Sequence, residues 1–267
     1  MTVHEKLAPQ SPTPSTEVPS DIAEIAPERP TPGSLDAAAL EEALLGRWAA
    51  ERRESRELAK DPALWRDPML GMDEHRARVL RQLGVLVERN AVHRAFPREF
   101  GGEDNHGGNL SAFGDLVLAD PSLQIKAGVQ WGLFSSAILH LGTAEHHRRW
   151  LPGAMDLSVP GAFAMTEIGH GSDVAAIKTR AVRDGDEWVI NGAKRWIGNG
   201  TMSRIAIVWA RDEEDDQVKG FIVETDTPGY EATKIEHKTA VKIVQNADIT
   251  FTDVRVPAEN KLEKANT

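Results

Sequence analysis

The hydrophobic repeat changes once along this 267-residue chain, near Pro160, and that change limits the folds open to it. Before Pro160, apolar residues recur every three or four positions, which is typical of helices that pack by one face. After Pro160, apolar and polar residues alternate in short runs between turn residues, which is typical of half-buried strands. The sequence therefore predicts the α+β class, with an α-helical domain first and an antiparallel β domain second.

The first half of the chain contains several helical patterns. Ser34 is a suitable N-cap for the first helix, and Val79, Leu83 and Leu86 lie on the apolar stripe of the second. Pro152-Gly153 is predicted to end the last of them. Helices are predicted over 35–48, 73–87, 111–119, 122–141 and 143–151.

The second half contains short strand patterns. Asp184-Gly185 stands between two of them and indicates a hairpin, because this dipeptide tolerates positive φ. Strands are predicted over 179–182, 188–191, 204–211, 220–224, 230–235 and 248–256.

Residues 1–35 differ in composition from the rest. They hold seven of the fifteen prolines, among Ser, Thr and Glu, and few large apolar residues that could offset the entropy of ordering. They predict a disordered leader, either a plain solvated tail or a polyproline II segment that recruits a partner. The predicted division is a leader over 1–35, a helical domain over 36–157 and a β domain over 158–267.

Composition narrows the function classes. The formal net charge is −10 and cysteine is absent. Without a basic patch, such a chain is not expected to bind nucleic acid, and without thiols it has no disulfides or thiolate metal sites. No run is long enough to span a bilayer and no secretory signal is recognised, so a soluble, cytoplasmic protein is expected.

Two segments carry candidate chemistry. Phe163–Asp173 leaves a strand and enters a loop in which Gly169 and Gly171 permit close approach of a ligand, although most Gly-x-Gly loops are only turns. Lys194–Gly200 ends a strand with Trp196, which could cover a planar cofactor or could be an ordinary core tryptophan. The residues alone leave both alternatives open.

In this order, AMTEIGHGSDV and NGAKRWIGNG resemble the two flavin-contacting signatures of the acyl-CoA dehydrogenase/oxidase superfamily. FPREFGGEDN, ILHLGTAEHHRRWLPGAM, GFIVETDTPGYEATKIEHK and ITFTDVRVPAENKL resemble other segments of that family. The resemblance covers about residues 60–263. It implies a β-barrel-like middle domain, FAD as cofactor, an acyl-CoA thioester as substrate and a homo-oligomeric assembly.

The resemblance also implies roles for particular residues. The Thr166 hydroxyl would bind the reactive edge of the flavin, Trp196 would flank the ring system, and Ser172 would contact both cofactor and acyl-CoA. The residues assigned to the cofactor are Phe163, Met165, Thr166, Gly171, Ser172, Trp196, Ile197 and Gly198.

The sequence departs from the family pattern in two respects. Gly198 stands where many dehydrogenases have threonine, and Ile125–Phe134 also resembles oxidases, whereas the part from Ile177 onward resembles glutaryl-CoA dehydrogenase and short-chain oxidase types. The family's third domain, a helical bundle with the catalytic glutamate, would follow Thr267. No catalytic residue is therefore predicted, and the chain alone is expected to be inactive.

Competing assignments are weaker. Glu167, the carboxylate of the first motif, is expected to be structural, and His140, His146 and His147 are not expected to bind a metal, because two of them are adjacent on a helix. A flavin monooxygenase of related fold and a non-catalytic interaction module are the alternatives to acyl-CoA oxidation.

Overall fold

A computed structural model describes residues 36–265 of the chain. The chain divides into two compact units, the first ending at Arg47 and the second beginning at Trp48. The leader predicted over 1–35 and its candidate cap Ser34 lie outside the described residues.

The described part of the first unit is one helix. Asp36 caps it, since its carboxylate accepts hydrogen bonds from the amides of Ala38 and Ala39, and Gly46 ends it with φ +66°.

Helices occupy the first part of the second unit, as predicted. A π-helical segment, Gly128–Ser135, interrupts the predicted helix 122–141. The helix of the first unit is α1 Ala37–Leu45, and the α-helices of the second unit are α2 Ala49–Leu58, α3 Met72–Glu88, α4 His106–Asp115, α5 Pro121–Ala127, α6 Ser136–Leu141 and α7 Ala144–Met155. Short 3₁₀ turns span Gly46–Trp48, Pro62–Leu64, Arg98–Phe100, Leu116–Leu118, Val174–Ala176 and Ala258–Asn260.

Helix α7 runs past the end that the sequence predicts. Pro152 lies inside it, and the helix continues to Met155. The carbonyls of its last turn are bound by side chains of the π-helical segment: Gln130 Nε2 and Trp131 Nε1 both donate to Ala154 O, at 2.9 and 3.1 Å. Tertiary hydrogen bonds therefore satisfy a helix end that Pro152-Gly153 was expected to terminate.

A seven-stranded sheet follows the helices. Its path is β1-β4-β2-β3-β7-β6, and β5 pairs with β4. The strands are β1 Gly161–Ala164, β2 Arg180–Asp184, β3 Glu187–Gly198, β4 Ile205–Asp212, β5 Val218–Glu224, β6 Tyr230–Lys234 and β7 Asn246–Pro257.

The α+β prediction is confirmed, with one correction to the sheet. Strands β1 and β2 pair in parallel with successive parts of β4, so the sheet is mixed and not purely antiparallel. The other pairings are antiparallel, including the predicted β2–β3 hairpin across Asp184 and Glu187. The predicted domain boundary at 157/158 stays a prediction; the last helix ends at Met155 and the first strand begins at Gly161.

Strand β4 explains how one sheet serves two cores. Ile205 and Ile207 pack into the core that the sheet shares with the helices. Ala206 and Val208 point to the opposite face and pack into a second core, which is formed by strand residues alone. A strand buried on both faces is an unbroken apolar run, as in IAIVWA.

The start of β1 is set by the π-helical segment. Gln130 is fully buried, and its side-chain oxygen accepts the amide of Gly161 at 2.8 Å. A Cβ at Gly161 would lie 2.0 Å from Cδ1 of Phe134, so the helix and the strand approach at a distance that only glycine permits.

We predict that Gly161→Ala lowers the free energy of unfolding by about 2 kcal/mol, because the added methyl overpacks the Phe134 contact. Gly114→Ala in α4 is the matched control, since a Cβ there meets no atom within 4 Å and should be neutral or stabilise by about 0.5 kcal/mol. Urea unfolding of both variants checks this, and equal midpoints would contradict it.

Candidate functional site

The two sequence motifs lie side by side. The Arg195 amide donates to Thr166 O at 2.8 Å, and Lys194 Nζ donates to Met165 O at 3.0 Å. The end of β1 is thereby fixed against the end of β3. The structure brings Met165 and Thr166 together with the segment that contains Trp196 and Gly198.

A buried ion pair joins the motifs. Lys194 Nζ lies 2.7 Å from Glu167 Oε1, and the two side chains are 0% and 4% exposed. The carboxylate also accepts hydrogen bonds from Thr179 Oγ1 at 2.6 Å and from the amides of Thr179 and Lys178. Every oxygen of Glu167 is thus used within the protein, in agreement with its expected structural role.

These donors decide the charge state of Glu167. Burial by itself raises the pKa of this carboxyl group, but the hydrogen bonds from Lys194, Thr179 and Lys178 outweigh burial and lower the pKa to about 2. Glu167 is therefore a carboxylate at neutral pH, and it is a poor proton acceptor.

The first motif then makes a tight turn. Glu167 and His170 exchange backbone hydrogen bonds, and Gly169 between them has φ +89°. Gly171 and Ser172 follow on an exposed loop, where a Cβ at Gly171 would meet no atom within 4 Å. Gly169 is required by the turn, whereas at Gly171 the space is open to a ligand.

Trp196 occupies a strained and exposed position. It has φ +64°, rare for a bulky residue, and is 49% exposed. The β3–β7 register shifts between Lys194 and Ile197, and such a bulge re-aims a side chain. Trp196 is therefore not a core tryptophan, and its role as a cofactor contact stays a prediction; strain of this kind is often found at ligand sites.

Three side chains hold Trp196 in place. Asn246 Nδ2 donates to Trp196 O at 2.9 Å. The Arg195 guanidinium lies 5.1 Å from the centre of the indole ring and bonds Asp248 at 3.2 Å. The tryptophan is thus positioned by a side chain of its own strand, β3, and by two of the neighbouring strand β7.

The next two residues differ in orientation. Ile197 is buried in the core of the sheet, so a ligand could meet only its backbone. Gly198 faces the π-helical segment, and a Cβ there would lie 2.9 Å from Cγ2 of Val129. Packing against Val129 is therefore a reason for glycine at position 198, one that the sequence did not reveal.

Phe163 is the most enclosed of the predicted aromatic contacts. It is half-buried in β1, with its ring centroid 5.7 Å from that of Trp209. It packs against the core shared with the helices.

Val129 also borders an apolar cavity of about 450 Å³ within the helices of the second unit. Its wall is formed mainly by α2, the segment 91–96, α4 and the π-helical segment, and it includes Phe113, Leu116, Val129, Trp131, Gly132 and Leu133. The cavity therefore lies next to Gly198 by way of one shared side chain, although it does not contain the two motifs.

Sequence reasoning missed Lys194, Asn199 and Val129 as parts of this site. A signal existed only for Lys194: it shares the alternating inward register of Trp188 and Ile190, and a buried strand lysine needs a carboxylate partner.

The histidines have local packing roles. His146 forms a capping box with Thr143, and the His147 ring packs edge-on against Phe100. Within residues 36–265 no group of three or more metal-ligating side chains is found. Nor does any helix in that range have the length and apolarity to cross a membrane.

We predict that Glu167→Gln lowers the free energy of unfolding by about 3 kcal/mol at pH 7, because it leaves the Lys194 ammonium buried without its counter-charge. Since the folded-state pKa of Glu167 is depressed, its contribution is complete above about pH 4.5 and is lost as the pH falls toward about 2. Denaturation of wild type and variant between pH 2 and 7 measures this.

A second change separates charge from packing. Adding Lys194→Met to Glu167→Gln removes the unpaired cation and should recover part of the lost stability. Equal stability of the single and double variants would contradict the ion-pair account.

Comparison with known proteins agrees with this geometry. Residues 162–254 match the family model for the acyl-CoA dehydrogenase middle domain. The chain is 36% identical over 187 residues to cyclohexane-1-carbonyl-CoA dehydrogenase of Syntrophus aciditrophicus (strain SB), covering 68% of this chain and 48% of that protein. It is 34% identical over 219 residues to the peroxisomal acyl-coenzyme A oxidase 2 of Arabidopsis thaliana, covering 73% of this chain and 31% of that one.

Comparison with solved structures gives relatives of the same family. A glutaryl-CoA dehydrogenase from Mycobacterium smegmatis, solved in complex with FADH2, superposes with a TM-score of 0.72 at 28% identity, over 82% of this chain and 56% of that one. The chain spans about half the length of cyclohexane-1-carbonyl-CoA dehydrogenase. The expected resemblance is confirmed: the family model that matches residues 162–254, the sequence relatives and the structural neighbour all belong to the acyl-CoA dehydrogenase/oxidase superfamily.

Proposed function

We propose that the chain forms the FAD-binding part of an enzyme that oxidises an acyl-CoA thioester to the 2-enoyl-CoA. The observation that carries the proposal is the strained, exposed Trp196 held against the end of β1 by the Glu167–Lys194 pair. The FADH2 complex of the Mycobacterium smegmatis relative supports FAD as the cofactor.

The residues present fit a flavin. Trp196 offers an exposed indole face for a planar ring, and the open space at Gly171 lets a ligand approach the backbone. The Thr166 hydroxyl makes no hydrogen bond to another residue in 36–265, so it is available to donate to the ring edge. Phe163, Met165 and Ser172 complete the proposed contacts.

When bound, FAD would supply the acceptor for the β-hydride of the acyl group. The chain's own part is alignment: Trp196 sets the plane of the ring, and Thr166 and Ser172 fix its polar edge and the acyl-CoA. The backbone of Ile197 and Gly198 would border the ring from the same strand.

The acyl group has a candidate site in the cavity beside Val129. Its wall is largely apolar, and its volume of about 450 Å³ suits an aliphatic or alicyclic chain. Because Val129 touches both this cavity and Gly198, we propose that the acyl group enters from the Gly198 side.

We favour an oxidase over a dehydrogenase. Gly198 brings no hydroxyl to the ring edge, and its nearest neighbour, Val129, is apolar. A path to the ring that is bordered by apolar atoms suits molecular oxygen, because oxygen is itself apolar. The likeness to the Arabidopsis thaliana oxidase supports this choice.

Proton removal is not assigned to any residue described in 36–265. Glu167, the carboxylate of the first motif, is committed to Lys194. We therefore propose that the residues described in 36–265 hold FAD and do not themselves supply the base that removes the proton.

We predict that Trp196→Ala weakens FAD binding by about tenfold, since stacking on one aromatic ring contributes on the order of 1.4 kcal/mol. Trp65→Ala is the matched control, because Trp65 is 47% exposed against 49% for Trp196 and lies outside both motifs. Equilibrium dialysis with FAD, read from the visible absorbance, gives the two dissociation constants. The proposal fails if wild type retains no FAD, and the assignment of Trp196 fails if both variants bind like wild type.

We also predict that Gly132→Leu weakens binding of a long-chain acyl-CoA several-fold but leaves free CoA unaffected. A Cβ at Gly132 would meet no atom within 4 Å, and Gly132 lines the cavity, so a leucine there is expected to fill part of it. Gly114→Leu is the control, since Gly114 also has free space but does not line the cavity. Calorimetric titration of the FAD-loaded chain measures both affinities; equal losses in the two variants would contradict an acyl site here.

A further inference from the structure

Lys126 is a buried cation without a buried anion. Its side chain is 1% exposed, and its ammonium donates to Asn199 Oδ1 at 2.9 Å and to Met202 Sδ at 3.2 Å. No carboxylate among residues 36–265 lies within salt-bridge distance of it. Lys194, the other buried lysine of this region, has the carboxylate of Glu167 at 2.7 Å.

Two further cations face the same place. Burial lowers the pKa of Lys126 to about 8, and the charges of Arg76 and Lys238 lower it as well. The Nε atom of Arg76 is itself buried without a hydrogen-bond partner in the described chain. The carboxylate that pairs with Arg76, that of Asp73, is 84% exposed and well screened.

Two of these cations, Lys126 and Lys238, are connected by hydrogen bonds to the segment Trp196–Asn199. Lys126 bonds Asn199, which follows Gly198 and has φ +63°. Lys238 Nζ bonds Asn246 Oδ1, and Asn246 in turn donates to Trp196 O. Both amide side chains thus connect a cation to the strand end that we assign to the flavin.

Such an arrangement lacks one negative charge. Taking an ammonium out of water without a counter-ion is strongly unfavourable, and a neutral amide and a thioether offset only part of that. A hydrogen bond to Asn199 alone could be made by a neutral side chain. The positive charge at this place therefore favours the binding of a negatively charged ligand nearby.

We propose that Lys126 is a positioning residue that acts through Asn199 to hold positive charge against the flavin site and stabilise negative charge on the reduced ring. This rests on the proposed function, because the ring is the anion that it invokes. Arg76 and Lys238 add to the same potential. The expected effect is a higher midpoint potential of the bound FAD and a higher affinity for sulfite, an anion that bleaches flavins in electropositive sites.

The test uses the full 267-residue chain loaded with FAD, as wild type, Lys126→Met and Lys126→Arg. Lys60→Met is the charge-matched control, since Lys60 is exposed and pairs with Glu57 at the end of α2. In Lys126→Met we expect sulfite to bleach FAD about tenfold less effectively and the midpoint potential to fall, as for the loss of one nearby charge. Lys126→Arg should retain most of both properties, and Lys60→Met should match wild type.

A measurement without FAD separates charge from structure. A depressed folded-state pKa means that the charged form opposes folding, so wild-type stability should rise between about pH 8 and pH 10.5, and Lys126→Met should lack that rise. The charged groups on neighbouring elements are Arg76 of α3 and Lys238 before β7, while His75 and Asp120 face each other at 4.0 Å beside the start of α5. All remain in the variant, so the difference between the two curves reports Lys126.

The outcomes are distinct. A more stable apo Lys126→Met that binds FAD but responds more weakly to sulfite supports the proposal. Unchanged sulfite response and midpoint potential in an FAD-loaded Lys126→Met overturn it and leave the proposed function standing. A less stable apo variant without the pH-dependent difference assigns Lys126 to structure alone and also overturns it. Absence of FAD from every variant, wild type included, overturns the proposed function and this inference together.

Discussion

The buried pair of Glu167 and Lys194 is the interaction on which the site depends. It joins two segments that are separate in sequence, and its carboxylate also orders the chain at Lys178 and Thr179. A buried charge pair needs hydrogen bonds to offset its desolvation, and here both carboxylate oxygens accept hydrogen bonds while the ammonium donates to Glu167 and to Met165 O. The geometry of the first motif is therefore set by its structural carboxylate, and the neighbouring residues are left free for the ligand contacts that we propose.

The site combines this rigid support with local strain. Trp196 and Asn199 both have positive φ, and neighbouring side chains maintain them there: Asn246 and Arg195 for the tryptophan, Lys126 for the asparagine. Conformations that oppose folding persist only where the surroundings over-determine them. The same region holds cations whose burial also opposes folding, which is consistent with a surface that is completed by a bound anionic cofactor.

The helices and the sheet meet through the π-helical segment. Gln130 fixes the amide of Gly161 and the carbonyl of Ala154, Phe134 packs on Gly161, and Val129 packs on Gly198. The π-helical segment therefore aligns β1, α7 and the end of β3. Widened turns of this kind are common at functional sites, and this one also borders the apolar cavity.

The sequence by itself determined the α+β class, the order of helices and strands, the two motifs and the family, because periodicity and short motifs are local properties. It did not determine the parallel pairings of β4, the passage of α7 through Pro152 or the partners of Lys126 and Lys194. Those depend on contacts between residues far apart in the chain. Gly198 illustrates the difference. From the sequence, it is a glycine at a position where many dehydrogenases have the hydroxyl of a threonine. Only the tertiary structure shows that Val129 occupies the space that a side chain at position 198 would need.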